Sequence, residues 1–197
     1  MIDINKVLQN KYCVLSVIGS HAGESMSQIY ERKIQDIKKV GKTFWITQCK
    51  KEFFEKINEF CLSGDLYIIF ITPAHSCGAR PTTVNTVASG YMTIDGFQQF
   101  PKHLSPVTGS ITKKTAALVF DKIEPSNSSD VPKLDLWNYL DATTNDPVRF
   151  ILGESTKPCI LNTTTIKKGM ESRYRKISAI GHFVAPFCVR PIVNKEK

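Results

Sequence analysis

The chain has 197 residues, 42% of them hydrophobic, and carries a formal net charge of +8. A chain of this length can bury a full hydrophobic core, so we expect a single domain spanning residues 1–197. No apolar run is long enough to span a membrane, and residues 1–11 lack the apolar core of a signal peptide. These features argue against a membrane-embedded or secreted protein.

The six cysteines are isolated along the sequence, and no Cys-x-x-Cys pair is present. Several of them lie in apolar runs, where a free cysteine behaves as a small hydrophobic residue. We therefore expect buried, reduced thiols and a cytoplasmic protein, rather than disulfides or a zinc site. The sequence leaves the oligomeric state open.

Residues 12–72 alternate between apolar runs typical of strands and amphipathic patterns typical of helices. The predicted strands are residues 12–18, 43–47 and 66–71, and the predicted helices are residues 25–40 and 51–61. The first helix begins with a capping box at Ser25 and Gln28 and ends before Gly41. Because helices connect the consecutive strands, we expect parallel neighbours with right-handed crossovers. The prediction is a three-stranded parallel β-α-β-α-β layer, half of a Rossmann-like fold.

The remainder, residues 73–197, is predicted to be rich in β-structure. Asp95-Gly96 between short β-like segments predicts a hairpin. Further strands are predicted at residues 115–123, 134–140, 148–152 and 178–193, the last broken at Pro186, with a loop at residues 125–130. No helix of three turns is predicted after residue 75. The expected fold class is α/β, with the parallel layer running into a mostly antiparallel part.

In an open parallel sheet, ligands bind at the carboxyl ends of the strands. Three loops would meet at that edge, at residues 19–25, 47–50 and 72–83. The backbone N–H groups of a small-residue turn before a helix favour an anion, most often a phosphate. The predicted ligand-binding residues in these loops are Gly19, Ser20, Gly23, Ser25, Gln48, Thr82 and Thr83. The alternative is that the small residues only allow tight packing.

The same loops contain candidate catalytic residues, namely His21, His75 and Arg80. A histidine there can act as a general base, and an arginine can bind phosphate through two directed hydrogen bonds. A thiol nucleophile at Cys77 beside His75, or a zinc site that adds His21, is less favoured. The sequence predicts no metal and no cofactor. His182, within an apolar strand, is interpreted as a core residue.

The positive charge is concentrated in residues 163–197, which hold eight basic and two acidic residues. Such a segment attracts polyanions, although it is equally typical of a solvated loop. The candidate nucleic-acid contacts are Lys167, Lys168, Arg173, Arg175 and Lys176. Aromatic residues that could stack on bases, or alternatively belong to the core, are Phe44, Trp45, Phe97, Phe100, Trp137 and Tyr139.

We therefore expect a protein that binds a phosphate-bearing ligand, a nucleotide or a nucleic-acid end, at the edge formed by residues 19–25 and 75–83. One alternative is a hydrolase or transferase in which His21 or His75 is the base and Arg80 stabilises developing negative charge. A second is a nucleic-acid-binding module that combines aromatic stacking with a basic loop.

Overall fold

The computed structural model describes residues 3–19, 23–73, 88–101, 104, 111–126, 133–135, 139–148, 158–166 and 174–192. In these ranges the helices are α1 (Ile4–Gln9), α2 (Met26–Val40) and α3 (Lys51–Ser63). The strands are β1 (Tyr12–Val17), β2 (Thr43–Gln48), β3 (Tyr67–Ile71), β4 (Gly90–Thr93), β5 (Gly96–Gln99), β6 (Thr115–Pro125), β7 (Lys133–Asp135), β8 (Tyr139–Asp141), β9 (Cys159–Ile166), β10 (Tyr174–Val189) and β11 (Pro191–Ile192). None of the helices in this part of the chain combines the length and apolar character needed to cross a membrane.

The signals at both ends of α2 act as predicted. The Ser25 hydroxyl accepts a hydrogen bond from the Gln28 N–H at 3.3 Å, and the Ser25 N–H donates to Gln28 Oε1 at 2.8 Å. Gly41 ends the helix in the left-handed region, at φ 77°, which glycine adopts without steric cost. The predicted elements of residues 12–72 are therefore confirmed in type, with bounds shifted by at most two residues.

The strands form a mixed sheet in the order β2-β6-β10-β3-β1-β9-β8, and β7 pairs with the start of β10. Only β1 and β3 pair in parallel, with Val14 opposite Ile68. The α/β class is therefore confirmed, but the predicted three-stranded parallel layer is wrong. Strand β2 lies at the far edge of the sheet, where it pairs antiparallel with β6.

The burial of the strands explains why β2 lies at the edge of the sheet. The first six residues of β6 are all buried, whereas β2 is buried only at Thr43 and Phe44 and is half-buried from there on. A strand with both faces and both edges covered belongs in the middle of a sheet, and a partly polar strand fits its edge. Because β10 and β6 lie between β3 and β2, and each pairing is antiparallel, β2 runs opposite to β1 and β3.

Alternating side chains of the central strands point into separate clusters on the two faces of the sheet. On one face, α2 and α3 cover a cluster that includes Ile68, Phe70 and Phe120. The other face has two clusters. One is covered by α1, and the other by the smaller sheet of β11, β4 and β5. The sheet is therefore buried on both faces over its centre.

The predicted hairpin is confirmed as β4 and β5, with Ile94 and Asp95 forming the turn before Gly96. The strand predicted at residues 115–123 is β6. The prediction for 134–140 corresponds to parts of β7 and β8, and that for 148–152 falls mostly outside the described residues, as does the loop from 127 onward. Strand β9 and helix α1 were not predicted.

Strand β10 begins four residues before its predicted start. The predicted break at Pro186 takes the form of a bulge, because its pairing with β6 shifts register between Phe183 and Cys188. The bulge therefore divides β10 into two regions. Its start lies beside the end of β3, and its end lies beside the start of β6.

Candidate functional site

A cleft of about 510 Å³ lies between α2 and the ends of three strands, β3, β6 and β10. Helix α2 contributes Ser27, Tyr30, Glu31 and Lys38, together with apolar side chains and Gln35. The strand ends contribute Thr72, Pro125, Ser126, Lys176, Ile177 and Ser178. This size falls in the range of small-molecule sites, about 300–1,000 Å³. The cleft lies at the carboxyl end of β3, the edge at which the sequence predicts a ligand.

The first described residues after β1 and β3 lie close together at this edge. Ile18 N–H donates to Ile71 O at 2.9 Å, and a Cβ atom on Gly19 would lie 3.6 Å from Cγ of Pro73. Gly23 has a φ of 83°, a conformation that other residues rarely adopt, so it turns the chain toward α2. Gly19 therefore lies beside Pro73, the second residue after β3, and Ser25 caps α2, but none of Gly19, Gly23 and Ser25 lines the cleft.

The first turn of α2 faces the cleft. The capping box uses the N–H groups of Ser25 and Gln28 but not those of Met26 and Ser27, and both of these residues line the cleft. The N-terminal end of a helix carries a partial positive charge. Glu24 next to it would oppose a bound anion, but Arg32 Nη2 lies 2.6 Å from its carboxylate and Arg32 Nε donates to it at 2.9 Å.

The floor of the cleft is held by a chain of hydroxyl groups. Ser178 Oγ donates to Phe70 O at 3.1 Å, and the Tyr30 hydroxyl lies 2.7 Å from Ser178 Oγ, which leaves the tyrosine as donor. Burial raises the pKa of Tyr30, outweighing the opposite effect of its bond to Ser178. Tyr30 is therefore a neutral phenol that ties α2 to β10 and β3.

The end of β3 and the predicted basic segment are in contact through Lys176. Thr72 N–H, directly after β3, donates to Lys176 O at 3.1 Å. Lys176, from the predicted basic segment, is exposed and lines the cleft together with Lys38. The neighbouring Arg175 is half-buried in the pairing of β10 with β7. Of the described residues of the basic segment, Lys176 therefore lies at the predicted anion edge.

Gln48, by contrast, does not lie at this edge. It pairs with Thr115 at the start of β6, and its Nε2 donates to Thr115 Oγ1 at 2.9 Å. Arg190, just past the end of β10, also donates to Thr115 O. Gln48 is thus at the end of β10 opposite Lys176, because β2 is antiparallel to β1 and β3.

The remaining predicted site residues fall outside the described residues: His21, His75, Arg80, Ser20, Thr82, Thr83, Lys167, Lys168 and Arg173. Cys77 and Trp137 fall outside as well. Their predicted roles stay predictions. Within the described ranges, no cluster of three or more His, Cys, Asp or Glu side chains is arranged to hold a metal ion.

Most of the aromatic candidates for base stacking pack into the core. Trp45 lies 4.5 Å from the Phe70 ring, and Phe44 is buried against Tyr91 and Phe100. Phe97 is exposed, at 41% of its surface. The described aromatics therefore provide no continuous stacking surface.

Sequence reasoning missed two clusters of reactive side chains. His182 is half-buried rather than part of the core: its Nδ1 is hydrogen-bonded to Asp121 Oδ1 at 2.7 Å, and its Nε2 lies 3.7 Å from Asp65 Oδ1. The second contains Cys49 and Cys188, which both belong to the buried cluster beneath α3. No local signal reveals either one, because their members come from distant elements.

Comparison of the chain with protein-family models, with curated proteins and with solved structures gave no significant match.

Proposed function

We propose that the cleft between α2 and the ends of β3, β6 and β10 binds a phosphate-bearing ligand, either a nucleotide or the end of a nucleic acid. The observation that carries the proposal is the position of Lys38 and Lys176 in one cleft with the first turn of α2. Lys38 and Lys176 each bring an ammonium group to the cleft, and the first turn of α2, about 16 Å from Lys38 along the helix axis, brings the positive end of the helix dipole. The several phosphates of a nucleotide or of a nucleic-acid end can therefore meet these charges at separate points. Among the lining residues that the structure describes, Glu31 is the one carboxylate, and the two lysines outnumber it.

The rest of the lining suits the uncharged part of a nucleotide. Met26, Ile34, Pro125 and Ile177 supply apolar surface, and hydroxyl groups of serine, threonine and tyrosine lie among them. Ligand sites generally combine a mostly apolar wall with a few placed polar groups. A base or sugar can therefore contact the wall while the phosphate contacts the lysines. We also propose that the protein acts in the cytoplasm. This location is supported by the free thiols of the described cysteines, because thiols stay reduced there: Cys13, Cys49, Cys61, Cys159 and Cys188.

Replacing Lys38 and Lys176 together by alanine should weaken ATP binding at least about ten-fold, because losing a hydrogen bond to a charged group costs about 1.5–3 kcal/mol. The measurement is isothermal titration calorimetry of ATP at low ionic strength, with adenosine titrated in parallel. Adenosine lacks the phosphates, so its binding should be much weaker than that of ATP.

The matched control is Lys39→Ala. Lys38 and Lys39 are adjacent, exposed residues in the last turn of α2, but Lys39 does not line the cleft. Lys38→Ala and Lys39→Ala each remove one positive charge, so only a directed contact of Lys38 at the cleft would make their effects on ATP affinity differ. Equal losses of affinity from the two single variants would refute the proposal, and so would adenosine binding as tightly as ATP.

Lys176 also favours the nucleic-acid end as a form of this ligand, since it is the last residue of the basic cluster 167–176 and lines the cleft. Neutralising Lys167, Lys168, Arg173, Arg175 and Lys176 together should weaken oligonucleotide binding and flatten its dependence on salt, because fewer counterions are released. The measurement is fluorescence anisotropy with a 5′-phosphorylated oligonucleotide over a range of salt concentrations. An unchanged dependence of affinity on salt would mean that these basic residues do not contact the oligonucleotide. The proposed ligand would then be a nucleotide alone.

A further inference from the structure

Basic side chains from three segments of the chain meet at the end of the main sheet opposite the cleft. Strand β2 ends there, β6 begins there, and Arg190 follows the end of β10. Cys49 N–H donates to Lys114 O at 2.9 Å, so the turn before β6 lies beside the start of α3. We define the basic patch by the five residues at this end: Lys50, Lys51, Lys113, Lys114 and Arg190.

The turn before β6 holds Lys113 and Lys114 in fixed positions. Thr115 N–H donates to Thr112 O at 3.0 Å, which closes the turn around the two lysines. The Gln48 side chain holds the turn from β2, because its Nε2 donates to Thr115 Oγ1 at 2.9 Å and its Oε1 accepts from Thr112 Oγ1 at 3.2 Å. None of these bonds uses a lysine side chain, and both lysines are exposed.

Arg190 is fixed at the same end of the sheet. Its guanidinium stacks over the Phe54 ring at 4.5 Å, and its Nη1 donates to Thr115 O at 3.1 Å. A guanidinium has five N–H groups, so these two contacts leave others able to bind an anion. Because its position is already set, Arg190 would lose little side-chain freedom on binding a phosphate.

Few carboxylates neutralise the basic patch. Glu55 lies 3.4 Å from Lys51, but the two side chains are 57% and 79% exposed, so water weakens this pair. Glu52 is the other acidic residue in the first two turns of α3. In the described part of the chain, no carboxylate pairs with the remaining three lysines of the patch. Five cations therefore stand against two carboxylates at this end of the sheet.

We propose that the basic patch binds the phosphodiester backbone of a nucleic acid at a point away from its ends. Each exposed ammonium that contacts a phosphate releases a counterion, which supplies the sequence-independent part of nucleic-acid affinity. Arg190 adds directed hydrogen bonds to a phosphate. The cleft lies at the opposite end of β6 and β10, so this site does not depend on the ligand proposed for the cleft.

An anionic membrane is the other surface that a basic patch could contact. Membrane docking usually adds exposed apolar side chains to the positive charge. The large apolar side chains that are exposed in the described part of the chain belong to the β4–β5 hairpin, to the end of α3 and to the start of β10: Leu62, Met92, Ile94, Phe97 and Tyr174. None of them belongs to the segments that form the patch, which favours nucleic acid over a membrane.

The test uses a covalently closed circle of single-stranded DNA with an internal fluorophore, because a circle has no end for the cleft to bind. Fluorescence anisotropy measures its affinity from about 50 to about 200 mM salt. Lys113→Gln combined with Lys114→Gln should weaken binding at least about five-fold at low salt. It should also reduce the slope of log affinity against log salt by about 1.4, since each phosphate contact on a single strand contributes about 0.7. A closed duplex circle, titrated in parallel, shows which form of nucleic acid is bound.

Two controls remove the same charge elsewhere. Lys6→Gln combined with Lys39→Gln changes exposed positions of α1 and α2, and Lys38→Ala combined with Lys176→Ala changes the cleft. Both should bind the circle like the unmodified protein. The second control also separates the two proposals, because it should lose ATP affinity and keep the circle, whereas the turn variant should do the reverse. Lys50→Gln combined with Lys51→Gln provides a second variant of the patch and should behave like the turn variant.

Three results would overturn the proposal. The first is that the unmodified protein binds neither circle, which is read without any variant. The second is equal affinity for the circle in the turn variant and in the Lys6 and Lys39 control. The third is binding to vesicles of phosphatidylcholine and phosphatidylserine that depends on Lys113 and Lys114 and is tighter than binding to either circle, which would assign the patch to a membrane surface.

Discussion

Replacing Phe70 by alanine should lower the free energy of unfolding by about 3–5 kcal/mol, the usual cost of truncating a fully buried aromatic residue. Phe70 is completely buried, and its ring lies 4.5 Å from Trp45, 5.9 Å from Tyr30 and 6.1 Å from Phe120. These partners come from β2, α2 and β6. One side chain of β3 therefore holds together elements from both halves of the chain, and its loss leaves a cavity between them.

Chemical denaturation of the variant and the unmodified protein measures this effect as a difference in unfolding free energy. Leu62→Ala in α3 is the control, because Leu62 is 79% exposed and its replacement should change stability by no more than about 0.5 kcal/mol. If Phe70→Ala costs no more than Leu62→Ala, the packing of Tyr30 and Trp45 against Phe70 is wrong.

Lys33 should make the protein more stable as the pH rises above about 8. Its side chain is buried, with Nζ donating to Phe44 O at 2.6 Å and lying 3.8 Å from Asp36 Oδ2. Burial, and then repulsion by Arg32, lowers the pKa of Lys33 from 10.5 to about 8. Between these values the unfolded chain holds a proton that the folded chain lacks. Raising the pH therefore disfavours unfolding, by up to about 1.4 kcal/mol per pH unit and about 3 kcal/mol over the whole interval.

The measurement is the free energy of unfolding at about pH 7.5 and about pH 9.5, compared between the unmodified chain and Lys33→Met. The comparison is needed because the high pKa values of buried Cys13 and Cys61 act in the opposite sense above pH 9. Both chains contain those thiols, so the difference isolates Lys33. Lys39→Met, at an exposed position of the same helix, should follow the unmodified chain. A Lys33→Met curve parallel to that of the unmodified protein would contradict the prediction.

The candidate site was predictable in part. The capped start of α2 is a local feature that the sequence predicted, and Met26 and Ser27 directly after the cap line the cleft. That Lys38 and Lys176 line the same cleft was not predictable. They are far apart in sequence, and only the position of β10 beside β3 brings Lys176 to the cleft. Gln48 was assigned to this edge only because β2 was expected to run parallel to β1.

The sequence by itself determined the elements whose signals are local. The capping box at Ser25, the left-handed glycine at position 41 and the apolar runs of β1 and β3 specify where helices and strands begin and end, since each depends on neighbouring residues. Only the tertiary structure decided which strands are neighbours. The buried run of β6 and the long β10 compete for the centre of the sheet, and pairing them there covers more apolar surface than pairing β2 beside β3 would. That competition involves residues more than a hundred positions apart, and no local pattern records its outcome.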